Sequence, residues 1–527
     1  MLPSYHYEDN TDGSLLKSVG KPLRDYKIEG NCFQDGVPSP ENPIEVQCCG
    51  EKTKNLLPFP YTTASVTRNG VTVTVSDDGS ICIDGTSTAA TSFYLFSDKE
   101  NLIPGLKIGD TITLSKNPND ESQHEDVYFM CNYYDSSGTM KQGIACTLYQ
   151  TRSGTISEEW VGVGCYIHVP VGRTLNNLVL KPQIELGDTA TEYEPYGYKV
   201  PVTVEGKNMF DFDSVTEMRN SSGTVSTLWE KDGEELIVDR SKYGGGIYFP
   251  CNVARLKAGT YTLSSSVYMP NKSGAVYMGY QVNTDSLIVV KQISVNEADT
   301  WVNIQASFEV AADTDIVGIV LQGGGTENYN DLNVRFKNIQ LEKGNSATKY
   351  EPYFEPETYN IYLDEPLRKV GDYADYIDFK SGKVLRNIDN IEITGDETWT
   401  LYSSQSNHFN LHLSNVYAAN PGDFVLCNYY PASHESGGYY SYSSHAVMAA
   451  DGNRIRFKDE SYSTVEEWVD RLKSLEVPMN VSYVLSTPTE SDIILPKIFT
   501  EKGTNIISVG TTLQPSTVNY QYYKGGK

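Results

Sequence analysis

Residues 183–196 read QIELGDTATEYEPY and residues 340–353 read QLEKGNSATKYEPY, identical at nine of fourteen positions. An upstream marker repeats as well, Lys54-Asn55-Leu56-Leu57 against Lys207-Asn208-Met209-Phe210. The upstream markers lie 153 residues apart and the phrases 157. A period this long exceeds any solenoid repeat and means two tandem copies of one whole domain. Duplicated modules without a catalytic signature suit binding, where repetition raises avidity, better than chemistry.

A chain of 527 residues holds roughly three to four domains. We divide it into an attachment or linker region (1–53), a first module (54–197), a second module (198–357) and a C-terminal domain (358–527). Residues 30–44, GNCFQDGVPSPENPI, carry three prolines, which fix φ and withhold donors, so this stretch reads as extended or turn-rich linker.

The first copy opens with hairpin chemistry. Asn69-Gly70, Asp78-Gly79 and Asp84-Gly85 bound the alternating runs VTVTV (71–75) and SICI (80–83). Further strands are expected at 111–114, 127–134, 165–169 and 178–186, and in the second copy at 259–263, 275–282, 301–310, 316–321 and 332–341. Short strands at this spacing, separated by Gly, Asn and Asp, predict antiparallel sandwiches. The third region offers one helix: Ser463 or Thr464 as cap, Glu466 or Glu467 completing a capping box, an apolar stripe of Val465, Trp468, Val469 and Leu472, and Pro478 as its end. The fold class is therefore all-β: two tandem sandwiches and a β-rich C-terminal domain with one short helix.

Charge and composition exclude several functions. A formal charge of −26 gives no electrostatic reason to bind nucleic acid. No apolar run approaches the roughly 20 residues that span a bilayer, so membrane insertion is not expected, and the opening MLPSYHYEDNTDGS lacks the regions of a signal peptide. Nine cysteines without CxxC spacing argue against a disulfide framework and a zinc site, and for folding in a reducing cytoplasm. His408 and His412 alternate with Phe409, Leu411 and Leu413, a strand pattern that holds them too far apart to share an ion. Gly323-Gly324-Gly325 follows a strand but precedes no helix and reads as a turn. The adjacent acids Glu158-Glu159 and Asp77-Asp78 read as solvated loop residues. No nucleophile elbow, HExxH, P-loop or EF-hand motif is present. No catalytic residue, metal or cofactor is expected.

The runs LKAGTYTL (256–263), the strand at 301–310 and FKNIQLE (336–342) resemble jelly-roll carbohydrate-binding modules appended to glycoside hydrolases, and LKIGDTITL (106–114) is a more divergent version in the first copy. The flanks IEGNCFQDGVPSPENPIEV (28–46), EPLRKVGDYADYIDFKSGKVLR (365–386), VSYVLSTPTE (481–490) and GTTLQPSTVNYQYY (510–523) resemble phage tail proteins of Gram-positive bacteria. The combined resemblance implies a tail fibre, baseplate or receptor-binding component of a phage or prophage virion. It would be made in the bacterial cytoplasm, assemble with other tail proteins as a homotrimer, and meet host surface glycans outside the cell.

Alternation along the strands selects candidate sugar contacts. In 261–269, Leu263, Val267 and Met269 are expected inward and Thr262, Ser264, Ser266 and Tyr268 outward. In 301–310, Val302, Ile304, Ala306 and Phe308 face inward, while Trp301, Asn303 and Gln305 face outward. Tyr268, Trp301, Asn303 and Gln305 thus combine ring faces for CH groups with amides for hydroxyls. Tyr439, Tyr440 and Tyr442, among glycines and serines, suit an adaptable contact loop and make the C-terminal domain the candidate host-contact part. Two other readings stay open: a tail spacer or adaptor that keeps the fold without binding sugar, and a depolymerase, which a carboxylate pair in a deep cleft would favour.

Overall fold

The structure, a computed structural model, describes residues 26–522 except 121, 124, 148–149, 221–224, 227–228, 240–246, 254, 272–273, 283–286, 325–332, 403–406, 418–423, 434–443, 452, 499–502 and 511–515. The protein is all-β, with antiparallel ladders throughout its sheets and one α-helix, Val465–Lys473, among the described residues.

In the first sandwich, Asn69 and Gly70 take φ of 51° and 79°, the pair of positive values a two-residue type I′ hairpin needs. A Cβ on Gly70 would also stand 2.3 Å from Thr86 O. The turn joins Val66–Arg68 to Val71–Val75, which pairs on its other side with Ile81–Thr86, with Val71, Val73, Ile81 and Ile83 inward and Thr72 and Thr74 outward. One layer is completed by Thr174–Leu180 and Val66–Arg68, and by a three-stranded sheet of Thr151–Thr155, Thr111–Ser115 and Gln183–Leu186. Met140–Cys146, Tyr128–Tyr134, Gly162–Val169 and Thr91–Asp98 form the other sheet, and the apolar residues of both meet in one core around Phe93, Phe129, Ile112 and Ile184. Residues 178–186, expected as one strand, are two. Pro182 has no N–H for a ladder, and the chain changes sheets there: Thr174–Leu180 pairs with Ile81–Thr86, whereas Gln183–Leu186 pairs with Thr111–Ser115.

The second sandwich faces a six-stranded sheet against a five-stranded one ordered Trp229–Asp232, Glu235–Asp239, Asn333–Lys343, Gly259–Tyr268, Trp301–Val310. Phe210, Phe249, Leu263, Phe336 and Leu341 fill its core. Gly323 and Gly324, expected in a turn, lie instead in the strand Gly318–Gly324. A Cβ on Gly323 would sit 2.6 Å from Val334 Cγ2, so glycine serves close packing here. Gly325 lies outside the described residues.

The segments between and around the sandwiches build a third core. Tyr198–Gly206 alternates like a half-buried strand, with Val200, Val202 and Val204 at 0, 0 and 2 % exposure. It lies between Glu357–Leu363 and Gly503–Val509, and the latter pairs with Ser516–Tyr522. Lys27–Glu29 edges a second sheet that runs through Tyr376–Asp378, Lys383–Ile393 and Met479–Asp492 to Val425–Cys427. The described part of the leader is thus woven into the fold rather than hanging as a linker. Cys49 N donates to Leu367 O at 3.0 Å, and Gln34 Nε2 to Cys427 O at 3.0 Å. Within the stretch 30–44, Cys32–Phe33 pairs with Gln47–Cys48, while the segment holding the three prolines makes just the isolated bridge of Ser39 with Asn42, as missing donors dictate. A fragment beginning at 358 would lose Tyr198–Gly206, the strand joining Glu357–Leu363 to Gly503–Val509.

In the C-terminal part the capping box forms: Thr464 Oγ1 accepts from Glu467 N, and the Glu467 carboxylate from Thr464 N, each at 3.2 Å. Trp468 and Leu472 are buried against the sheet Trp399–Leu401, His408–His412, Arg454–Asp459 and His445–Asp451, with Val465 and Val469 half-buried beside them. The helix stops at Lys473, ahead of Pro478.

All nine cysteines are free thiols. Burial pushes Cys49, Cys146 and Cys427 up from 9.0 to about 12. Because their folded values are raised, the stability from the neutral thiols is full below about pH 9 and is lost as pH rises toward 12. Lys116, wholly buried with Nζ donating to Val127 O and Thr147 O, is lowered from 10.5 to about 8 by desolvation and adds stability between those values. Three thiols outweigh one lysine, so the urea midpoint should hold near pH 8–9 and fall by about pH 11. A midpoint still rising at that pH would contradict the assignment.

Candidate functional site

The repeated phrase closes each sandwich as a buried polar clasp. Asn55 Oδ1 accepts from Leu57 N at 3.0 Å and Ile184 N at 3.2 Å; Asn208 Oδ1 accepts from Phe210 N and Leu341 N, both at 3.1 Å. Gln183 Oε1 accepts from Glu194 N at 2.8 Å, and Gln340 Oε1 from Glu351 N at 2.9 Å. Each glutamine amide donates to the glutamate two residues on, Glu185 or Glu342. Each glutamate also accepts both the N–H and the hydroxyl of one threonine, Thr191 or Thr348, at 2.7–2.8 Å. These carboxylates are only 2 and 3 % exposed, so a full set of donors is what makes their burial tolerable. The duplication that marks the sequence therefore records architecture. Glu342→Ala should cost the second sandwich about 2–4 kcal/mol, because Thr348 N and Gln340 Nε2 lose their acceptor in a buried site. Glu185→Ala should do the same to the first, and thermal melts showing neither loss would refute the clasp.

A hydroxyl pair is duplicated too. Thr113 and Ser153 bond at 2.9 Å in the first copy, Thr262 and Ser307 at 2.8 Å in the second. Beyond this pair the copies diverge. Thr111–Ser115 ends two residues past Thr113, whereas Gly259–Tyr268 runs six residues past Thr262 and carries Trp301–Val310 along its edge. The extra length presents a row that the first copy lacks.

In that row Tyr268 stands opposite Trp301 on one side and Arg335 on the other, and the next row is Asn303, Ser266, Lys337. The Tyr268 and Trp301 ring centroids are 5.6 Å apart with planes tilted by 47°. Lys337 Nζ lies 3.8 Å from the Trp301 ring centroid, a cation–π contact that covers one indole face. Asn303 is exposed, and its Oδ1 accepts from Ser266 Oγ at 2.7 Å. Arg335 is anchored by Glu235 at 3.1 Å and Asp232 at 3.6 Å. Tyr268, Trp301 and Asn303 are thus brought together on the outer face. Gln305 shares that face two residues on, but its Oε1 is engaged by Ala347 N at 2.8 Å, so it braces the 344–348 turn. Thr262, Ser264 and Ser266 point outward as expected yet are 0, 9 and 7 % exposed, since Gly259–Tyr268 is an interior strand flanked by Trp301–Val310 and Asn333–Lys343 and their longer side chains. Sequence reasoning missed Lys337 and Arg335, whose place beside Tyr268 follows only from long-range pairing.

Tyr439, Tyr440 and Tyr442 lie outside the described residues. His408 and His412 occupy the expected strand, where His408 Nδ1 meets Asn407 Oδ1 at 2.8 Å and His412 Nε2 meets Thr400 Oγ1 at 2.9 Å. Among the described residues no group of three His, Cys, Asp or Glu is placed to hold a metal. Glu159 accepts from Tyr133 OH, on the strand Tyr128–Tyr134, at 2.8 Å, and Asp78 accepts from Ser80 Oγ within its own turn at 2.6 Å.

No protein-family model and no curated protein matches the chain. Among solved structures it is similar to the tandem CBM22-1–CBM22-2 domain of Xyn10C from Paenibacillus barcinonensis, at 13 % identity, with 56 % of this chain and 98 % of that one covered and a TM-score of 0.22. It is also similar to the tripod of the bacteriophage Tuc2009 baseplate, at 13 % identity, with 42 % and 92 % covered and a TM-score of 0.16. At these scores whole-chain superposition is poor, and function must be argued from the chain's own residues.

Proposed function

We propose that this chain is a virion component, a phage tail-fibre or baseplate receptor-binding protein, that attaches to host cell-surface glycans without catalysing their cleavage. The observation that carries the reading is the row Trp301, Tyr268, Asn303 on the outer face of the second sandwich. One exposed indole face offers stacking for a sugar ring, and the Asn303 amide beside it offers hydrogen bonds to hydroxyls at the sugar's edge. The first sandwich keeps the clasp but not the aromatic row, so it serves as a spacer. The flanking resemblance supports the tail assignment and a host among Gram-positive bacteria. A spacer without sugar binding is the second reading; Lys337 seated on Trp301 favours it, because a ligand must share that ring.

Tail proteins of this kind assemble as closed homo-oligomers, and we expect a homotrimer. Light scattering on the purified full chain should give about three times the 58.6 kDa chain mass. A monomer at every concentration tested would remove the trimer from the proposal.

A further inference from the structure

A cleft of about 910 Å³ opens where the first sandwich, the third core and the C-terminal part meet. That volume falls in the range of small-molecule sites. Tyr193 and Tyr196, from the first repeated phrase, line it together with Tyr362 and Tyr483. Their counterparts in the second copy, Tyr350 and Tyr353, do not, so the cleft is a property of one copy and its neighbours.

Its charge is lopsided. The lining holds Asp77, Asp78, Asp364, Glu365, Asp389 and Asp492 against only Lys181 and Arg386. Arg386 is already committed, donating to Pro366 O and Glu365 O at 2.7 Å and to Asp375 at 3.2 Å. Lys181 Nζ lies 5.4 Å from the Tyr193 ring centroid. Of the acids, Glu365 pairs with Arg368, Asp78 accepts from Ser80, and Asp389 from Tyr483 OH at 2.8 Å. The side chains of Asp77, Asp364 and Asp492 are exposed and have no hydrogen bond or ion pair within contact distance among the described residues, although Lys383, opposite Asp492 in the ladder, lies within reach of its charge. Flat tyrosine rings beside uncommitted carboxylates recognise CH faces and ammonium groups together, and repel anions.

We infer that this cleft is a second glycan site, separate from the Trp301 face, and that it takes an oligosaccharide bearing free amino groups. It rests on the glycan-binding reading only in the choice of a sugar as occupant; the acidic, aromatic lining stands by itself. Tyr196 and Tyr362 stack sugar faces, while Asp364 and Asp492 take the ammonium groups.

Calorimetric titration of the full-length protein tests this with four probes: a β-1,4-linked glucosamine tetramer, its fully N-acetylated form, an oligogalacturonate and tetralysine. The glucosamine tetramer should bind about tenfold or more tighter than the acetylated form, weaken with salt, and leave the uronate unbound. Asp364→Asn with Asp492→Asn should lower its affinity about tenfold at unchanged melting temperature, as should Tyr196→Ala. No binding of the glucosamine tetramer, equal binding of the uronate, tetralysine binding as tightly as the sugar, or cleavage of the tetramer, as a depolymerase with acids in its cleft would give, would overturn the inference. Loss in Trp301→Ala but not in the cleft variants would assign the sugar to the sandwich face instead, leaving the proposed function standing and this site refuted.

Discussion

Trp468→Ala should destabilise the C-terminal part by about 3–5 kcal/mol, the usual cost of emptying a buried aromatic site. The indole has no exposed surface, stacks on Phe409 at a centroid distance of 4.7 Å and 6° between planes, and meets Trp399, Phe457 and Tyr430 at 5.5, 5.7 and 6.0 Å. Its Nε1 has no hydrogen-bond partner among the described residues, so the loss is one of packing and cavity formation. Trp468→Phe should therefore recover much of the stability, to within about 1–2 kcal/mol of the parent, because no buried partner is left unpaired. Val469→Ala, on the same helix but half-buried, should cost about 1 kcal/mol. Urea unfolding followed by tryptophan fluorescence reads all three. Equal effects at positions 468 and 469 would mean the helix does not dock through Trp468.

Trp301→Ala should weaken glycan binding by about 1–3 kcal/mol, roughly five- to 150-fold, with melting almost unchanged. A ligand covering one indole face buries about 100 Å² of apolar surface, worth about 2.5 kcal/mol before any ordering cost. Lys337 holds the opposite face and keeps the ring in place. Tyr268→Ala removes the neighbour 5.6 Å away and should lose a comparable amount. Since Trp301 and Tyr268 are both only half-buried, neither change opens a core cavity. Binding lost together with the melting transition would point to unfolding rather than to a contact.

The parts of this fold governed by local chemistry were legible in the sequence. Asn69-Gly70 specified its hairpin, Thr464 and Glu467 their capping box, and strand alternation put Trp301 and Asn303 outward and Ile304 and Ala306 inward. What the sequence hid depends on pairing across long separations. Val202 opposite Val509, Ile28 opposite Ile377, and Glu351 holding Thr504 N at 2.6 Å weave leader, inter-module segment and C-terminal strands into one core. A linker-like composition does not announce such partners, since each strand is short and its burial comes only from the others. Pro182 does carry a local signal, a missing donor inside an expected strand, and the chain changes sheets there. At the site, the residues on Trp301–Val310 and Gly259–Tyr268 could be assigned by alternation. Lys337 and Arg335 could not, because a register shift between Ser264 and Ser266 sets their alignment with Tyr268.

The most direct test of the account is a glycan array probed with the full-length protein and with the Tyr268→Ala, Trp301→Ala double variant, at matched melting temperatures. The account predicts a restricted set of glycans bound by the parent, with those seated on the second sandwich losing about tenfold or more of their signal in the variant. An array on which the parent binds nothing, or on which parent and variant give the same pattern and intensity, would contradict it.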